Sequence, residues 1–491
     1  MRFVYTLGAL ALTASTVFGK ETPKDEVVGA ELYDSGIKHQ RIRNAKLAHW
    51  RSEKAAGRMA SSQYPKLGYT PCVNGIAEAI PGDAAHTFRC KNTDLYSFIS
   101  HEDLGAPSAE GSSAWGWTDP ESGREFVASG AYEGTALLEI TSDGQLVKLG
   151  FLASYAPTGQ DSIWHEIRSY KNYMLIGSEL AGHGIQIFDM RKLLTVDPAN
   201  PIDFKVTAED SSDLTGHFNE LPNGGTHNVV INEELGYGVA VGARPRTNPC
   251  RGGLIFFDLT DPANPTSMGC DAQDAYVHDA QCLVYHGPDA KYEGRDICYG
   301  YNEDTLTMVD SYDVTMKNAS KVISRTSYEG ATYTHQGWVL DTNNQEYLLM
   351  DDEVDEEEGN GPAADGYPVT YIWDIRSLEA PKQTGIYKAA DVGIDHNQYV
   401  IDGLSYQSNY GSGLRIYDVT SIPTDPTGAG VCEVAYFDIY PEDDNAPGGG
   451  IVQFSGSWAS YAYFKSGYIF VNTIERGAFV VKMTTRETCP N

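Results

Sequence analysis

Seven times along the chain a small residue is followed by two variable positions, two apolar positions and, in most copies, an acid. The copies are Gly134–Glu139, Gly184–Asp189, Gly253–Asp258, Thr305–Asp310, Val369–Asp374, Gly413–Asp418 and Gly477–Lys482. They stand roughly 45 to 70 residues apart, the span of a four-stranded blade with loops of uneven length. Each copy sits in a wider frame. A His or Trp opens a short apolar strand, a second strand ends in Glu, Asp or Asn, the repeat supplies a third strand, and a turn leads to a fourth. In the second copy His165 opens, Tyr173–Ser178 is the second strand and Glu179 ends it; in the sixth the equivalents are His396, Ser405–Gln407 and Asn409. The pattern predicts an all-β fold, a seven-bladed β-propeller.

The seventh repeat is followed by too little chain for an obvious fourth strand. Asp94–His101 resembles the fourth strand of the sixth copy, Val434–Tyr440. It is therefore expected to complete blade seven and close the ring, which removes the open strand edges that invite aggregation.

The N-terminus has another character. Met1–Gly19 reads as a secretory leader, with Arg2, an apolar centre at Leu7–Leu12 and small residues at its end. Residues 20–70 form a basic segment in which Ala30–Arg58 is expected to be helical: a propeptide, a cap on the propeller, or a loose tail. The propeller itself is assigned to residues 71–491. Neither a later apolar run of spanning length nor a C-terminal lipid-anchor signal occurs, so no membrane span is expected and the chain reads as freely extracellular.

Composition sharpens this. The 491 residues carry a formal net charge of −31, which disfavours nucleic acid and anionic membranes as partners, so no nucleic acid is expected. The eight cysteines suit an oxidising compartment. Proximity suggests Cys72/Cys90, Cys250/Cys270 and Cys282/Cys298, leaving Cys432 with Cys489, one of about a hundred connectivities. Asn318-Ala319-Ser320 is an N-glycosylation sequon, so a glycoprotein is expected of a eukaryotic source. The acidic run Asp351–Glu358 could bind calcium but lacks EF-hand spacing, and a solvated loop is the favoured reading.

Several segments resemble the LVIVD-repeat propellers of the "choice-of-anchor B" type. They are Pro71-Cys72-Val73-Asn74-Gly75, Gly182–Asp189, Thr226–Val230, His278–Cys282, Asn302–Leu306, Thr334–Trp338, Met350–Glu353 and Ile394–Asn397. The resemblance runs from about Pro71 to Val481. It implies a propeller outside the cytoplasm and carries no activity with it.

Candidate chemistry follows from strand direction. Residues that open first strands and residues that end second strands share one face of a propeller. The openings are Trp117, His165, His227, His278, His335, His396 and Trp458; the ends are Glu133, Glu179, Gly242, Glu303, Asp352, Asn409 and Glu475. Glu166, Asn228, Asp279, Gln336 and Asn397 follow the openings, while His183, Arg244 and Tyr410 lie just past second strands. Imidazole with carboxylate suits acid–base chemistry or a divalent metal ion as cofactor, whose identity the sequence leaves open. On an enzymatic reading His227, His278 and His335 are the acid–base or metal-ligating groups, Glu303 and Asp352 their carboxylate partners, and Arg244 a counter-charge for an acidic substrate. His165, Glu179, His183, Asn228, Asp279, His396, Asn397, Asn409, Tyr410 and Glu475 would complete a ligand-binding face. Trp115, Trp117, Trp338, Trp458 and Tyr410 are candidates for stacking on sugars or for core packing.

The structural alternative has equal weight: a repeated His serves every blade alike by bonding the neighbouring backbone. No G-x-S-x-G, H-E-x-x-H or G-x-G-x-x-G stands in suitable context. Two readings therefore remain. One is a secreted propeller binding a carbohydrate or protein ligand. The other is an extracellular polysaccharide lyase or hydrolase using the same face. Oligomeric state is not legible.

Overall fold

The computed structural model describes residues 20–156, 164–207, 209–310 and 316–489. The leader assigned to Met1–Gly19 lies outside them. Seven sheets make the blades, each of antiparallel strands running from inner to outer in chain order except in blade seven, whose outer strand comes from ahead of blade one. They occupy residues 114–153, 165–218, 228–271, 279–328, 334–388, 398–437 and 457–483. Every copy of the repeat forms a third strand, from Gly134–Ile140 in blade one to Gly477–Met483 in blade seven.

Ring closure occurs where the sequence places it. Thr93–Ser100 pairs antiparallel with Gly477–Met483, from Thr93 opposite Met483 to Ser100 opposite Gly477. Further pieces cover outer edges: Thr87–Lys91 and Ile76–Glu78 extend blade six, Ile202–Phe204 runs parallel to the last strand of blade one, and Glu21–Thr22 borders blade four. Such cover blunts edges that would otherwise pair with another chain.

Each blade is buried on both faces, so its strands are almost continuously apolar, as in Tyr173–Ser178. Successive residues point into opposite inter-blade cores. Between blades two and three, Leu175, Ile187 and Phe218 meet Val229, Ala240 and Phe257. All four proposed disulfides are present: Cys72–Cys90, Cys250–Cys270, Cys282–Cys298 and Cys432–Cys489. They imply an oxidising environment. Among the described residues no helix is long and apolar enough to cross a membrane.

The basic N-terminal segment forms the helix Ile37–Ala55 and lies on the propeller as a cap. Its inward residues include Lys38, His39, Ile42, Lys46 and Trp50, where steps of three or four from the first pair onward keep them on one side. That side is largely cationic or aromatic, which suits an acidic face better than an apolar core. The acidic run Asp351–Glu358 is not the solvated loop expected. Asp351, Asp352, Glu353, Asp355 and Glu356 are all buried, because the run continues the second strand of blade five under the cap.

Candidate functional site

The ends of the inner strands converge on a closed ring of six aromatic side chains at the capped mouth of the channel. Ring centroids are 4.2 Å apart for His227 and His278, 4.5 Å for His278 and His335, and 4.5 Å for His335 and His396. The circuit closes through Trp458, 4.9 Å from His396, and Trp164, 6.1 Å from both Trp458 and His227. Four of the five histidines expected on one face are thus brought together.

Their second contacts differ. His278 Nδ1 lies 3.1 Å from the carbonyl of His335, and His396 Nδ1 lies 2.7 Å from that of Trp458, each reaching the next blade's backbone. His227 Nδ1 instead faces Glu179 at 2.7 Å, and His335 Nδ1 faces Asp351 at 3.1 Å. Burial lowers the pKa of all four, to about 4 for His396. Neighbouring imidazoles push His278 and His335 further down, so the ring is neutral at physiological pH.

The remaining expected residues fall into three groups. Glu179, Glu303 and Arg244 belong to the mouth. Glu179 receives Arg244 at 2.7 Å, and Glu303 is gripped by Arg246 at 2.7 and 3.0 Å. Burial opposes ionisation of both acids, yet the guanidinium groups and His39 win, holding Glu303 at about 2 and Glu179 well below its usual range. Tyr410 also belongs here, donating to Glu353 at 2.5 Å.

A second group is structural. Asn228 accepts from the Val229 amide, Asp279 from the Ala280 amide, and Glu475 from the Gly456 amide. Asn397 donates to the Trp458 carbonyl and Asn409 to Gln407.

A third group is displaced. His165 and His183 pair with one another, rings 5.4 Å apart, away from the ring, where Trp164 stands instead. Asp352 spends its oxygens on the Tyr328 hydroxyl and the Thr332 and Tyr333 amides, so the carboxylate beside His335 is Asp351. Trp117 lies toward the far end of its strand, stacked on Phe126 in the core.

The cap fills this mouth. Lys46 pairs with Glu353, and its ammonium lies 5.0 to 5.9 Å from the ring centroids of Phe454, Trp458, Tyr410 and Trp164. This is an aromatic cage for a cation, closed by one carboxylate. His39 bonds the Tyr333 hydroxyl at 2.7 Å and lies 3.5 and 3.4 Å from Glu179 and Glu303. Trp50 donates to the Phe454 carbonyl at 2.8 Å and packs on Trp164 and Trp458. A void of about 10 Å³ remains between helix and ring, room for about one water. His335, Glu353 and His396 could each offer an atom to a metal within 4.8 Å of the others; here Lys46 supplies the positive charge. Lys46, His39, Trp50, Arg246, Glu353 and Trp164 were not among the sequence candidates. The signal available for them was charge asymmetry, a basic helix ahead of a strongly acidic chain.

The opposite mouth is open. A cavity of about 440 Å³ is lined by Trp115, Trp338, Tyr461, Tyr463, Gln281 and Arg168. The Arg168 guanidinium lies 4.6 Å from the Trp115 ring centroid.

Several buried acids set a pH dependence. Burial raises Glu166, Asp304 and Glu475 to about 7 and Asp279 to about 6, against partial compensation by Arg168 at Glu166 and Asp279 and by Lys24 at Asp304. Unfolded, such groups titrate near pH 4. Between about 4 and 7 the native state therefore binds more protons, and stability falls as pH rises through that window. Glu179 and Glu303 act oppositely: their contribution is complete above about 4.5 and is lost as pH falls toward 2. The buried histidines, whose folded pKa is lowered, oppose these acids up to about pH 6.5, so the melting temperature should fall only from about pH 6.5 toward pH 8. Scanning calorimetry from pH 3 to 8 checks this, and a temperature that climbs steadily between pH 6.5 and 8 would refute it.

No family model and no curated protein matches the chain. Among solved structures, it is similar to the β-propeller domain of Cps50 (Swd1) from Myceliophteria thermophila. That match has 11% identity, a TM-score of 0.42, and coverage of 73% of this chain and 94% of that one. It is also similar to the computationally designed Ika8 protein, at 12% identity and a TM-score of 0.40, covering 84% and 96% respectively.

Proposed function

We propose that the protein is a secreted binding propeller whose His/carboxylate face receives a basic helix. The N-terminal segment is that helix in the intact chain, and a protein ligand of the same chemistry takes its place once the segment is cut away or displaced. The observation that carries this is the Lys46 ammonium seated among four aromatic rings and Glu353. A cage of this kind selects a cation on an apolar stem. The flanking acids Glu179 and Glu303 select further basic groups on the same helical side, as they do His39. Four disulfides support export. Exposed Asn318, in the turn Lys317–Ala319, is an accessible site for a glycan.

A lyase or hydrolase acting on polysaccharide at this face has less support. Its His ring is neutral, its imidazoles tilted against one another, and two of the four histidines brace the next blade's backbone. We assign the carbohydrate-binding reading to the opposite mouth instead, where Trp115 and Trp338 flank a wide cavity with Arg168 at hand for an acidic sugar.

A protease site built into the exposed turn at Gly57–Arg58 tests the main reading. After cleavage and removal of the helix at high salt, the bared face should bind synthetic basic helices bearing Lys and Trp one turn apart. Glu353→Gln should abolish that binding. A bared, folded propeller that binds no such helix, or binds it equally well with Glu353→Gln, would overturn it. Loss of glycan binding on Trp115→Ala would separately locate a sugar site.

A further inference from the structure

Outside the aromatic ring, at the junction of blades five and six, three carboxylates converge. Asp355 and Glu356 begin the short turn of helix after the second strand of blade five, and Asp395 immediately precedes His396 at the entry to blade six. One oxygen from each lies within 4.8 Å of the other two. The side chains are buried, at 0%, 4% and 1% exposure.

Their hydrogen-bonding is incomplete. Tyr371 donates to one oxygen of Asp355 at 2.8 Å. The other Asp355 oxygen, both oxygens of Glu356 and both of Asp395 find no donor in good geometry; Asp355 and Glu356 meet one another, carboxyl against carboxyl, beside the Glu356 amide. The charges nearest them are acids: Asp352 beside Asp355 and Glu356, and Asp351, Asp352 and Glu353 beside Asp395. The lysines of the cap are committed elsewhere, Lys38 to Glu358 at 2.5 Å and Lys46 to Glu353. Five orphaned, buried carboxylate oxygens are far outside what a folded protein leaves unsatisfied without cause. Burial and mutual repulsion push all three carboxyls well up, the direction expected of a cluster lacking its counter-ion.

The geometry identifies the missing partner. Two oxygens bound to one calcium at about 2.4 Å lie at most about 4.8 Å apart. The set is all oxygen, with no imidazole or thiolate, which favours a hard cation over zinc or copper. Three carboxylates from two separate segments, one of them a helical turn, suit the irregular coordination of calcium better than the near-ideal octahedron that magnesium requires. We propose that Asp355, Glu356 and Asp395 bind a calcium ion that pins the blade-five loop to the entry of blade six. The loops so joined also carry Glu353 and His396, so the ion would set the spacing of the capped mouth whatever ligand that mouth receives.

The test uses the full-length purified protein and calcium itself. Elemental mass spectrometry should find near-stoichiometric calcium, lost on exhaustive chelation. Restoring calcium should raise the melting temperature by roughly 5 °C or more, with magnesium much less effective. The net charge of −31 gives calcium other surface sites, so variants make the assignment. Asp395→Asn should weaken calcium binding in titration calorimetry by tenfold or more. In chelator the same variant should melt above the wild type, because one buried repulsion is gone. Glu356→Gln carries the same readouts should Asp395→Asn fail to fold. The proposal falls if the wild type neither contains calcium nor responds to it. It falls equally if the response survives intact in Asp395→Asn and Glu356→Gln.

Discussion

Replacing Lys46 by methionine in the full chain is expected to release the N-terminal helix while leaving the propeller folded. The methionine keeps the apolar stem among Trp164, Phe454 and Trp458 but removes the charge opposite Glu353. Glu353 is then a buried acid whose remaining side-chain partners are the Tyr410 hydroxyl at 2.5 Å, His396 at 3.4 Å and His335 at 4.0 Å. Its pKa, which burial alone would raise, is now held low by Lys46 first and His396 next. Stranding one member of a buried pair costs about 3–5 kcal/mol. The cost falls on the docked state, since an undocked helix lets water reach Glu353. Amide hydrogen exchange across Ile37–Ala55 should accelerate a hundredfold or more under conditions where undocking limits it. The double variant Lys46→Met, Glu353→Leu should recover much of the loss, because replacing both members of a buried pair by apolar groups is often neutral. Equal exchange rates in this helix for wild type and Lys46→Met would mean that the cage does not hold the cap.

The arrangement of blades is written plainly in the chain because each third strand needs the same local solution: a small residue at the turn, apolar pairs for two inter-blade cores, an acid at the exit. Closure was legible for the same reason, since Asp94–His101 carries the pattern of an outer strand with no inner partners beside it. The site was legible only in part, and its errors are errors of phase. A strand alternates faces at every residue, so a shift of one position exchanges channel for core. Trp164 rather than His165 stands in the ring, and Asp351 rather than Asp352 faces His335. In blade five a register shift between Thr334 and Gly337 produces the offset, and nothing in the sequence marks it. The helical segment was legible, with a cap as one of its three readings, but its seat on the face was not, for a different reason. Lys38, His39, Lys46 and Trp50 form no apolar stripe, and their partners lie about 120 to 410 residues away in blades two to seven. The same long-range burial turned the acidic run from a presumed solvated loop into the floor of the capped face.

The seam that closes the ring should be the most sensitive backbone position. Gly477 begins the third strand of blade seven opposite Ser100, with φ of +149°. A Cβ there would lie 2.1 Å from the Ile99 carbonyl oxygen and 2.7 Å from Ser100 Cα. Both obstacles are backbone of the closing strand, which cannot swing aside as a side chain would. Gly477→Ala therefore combines a disfavoured dihedral, about 1–3 kcal/mol, with an overpacking cost of similar size. Together these are roughly 2–6 kcal/mol, a large share of the 5–15 kcal/mol typical of a folded domain. Gly134→Ala meets almost the same geometry in blade one, φ +153° and 2.2 Å from the Leu152 carbonyl, but its strands are joined by a short connection. Gly467→Ala serves as control, since φ there is +79° and the nearest atom is Lys482 Cε at 3.5 Å, so only dihedral strain of about 1 kcal/mol applies. Hydrogen exchange distinguishes the three. In Gly477→Ala the amides of residues 93–100 should lose protection together, because the strand that joins the two ends of the chain detaches as a unit. In Gly134→Ala exchange should rise locally in blade one while residues 93–100 stay protected. If Gly477→Ala behaves like Gly467→Ala, the closing strand is not packed as tightly as its register implies, and the ring owes its closure to the inter-blade cores instead.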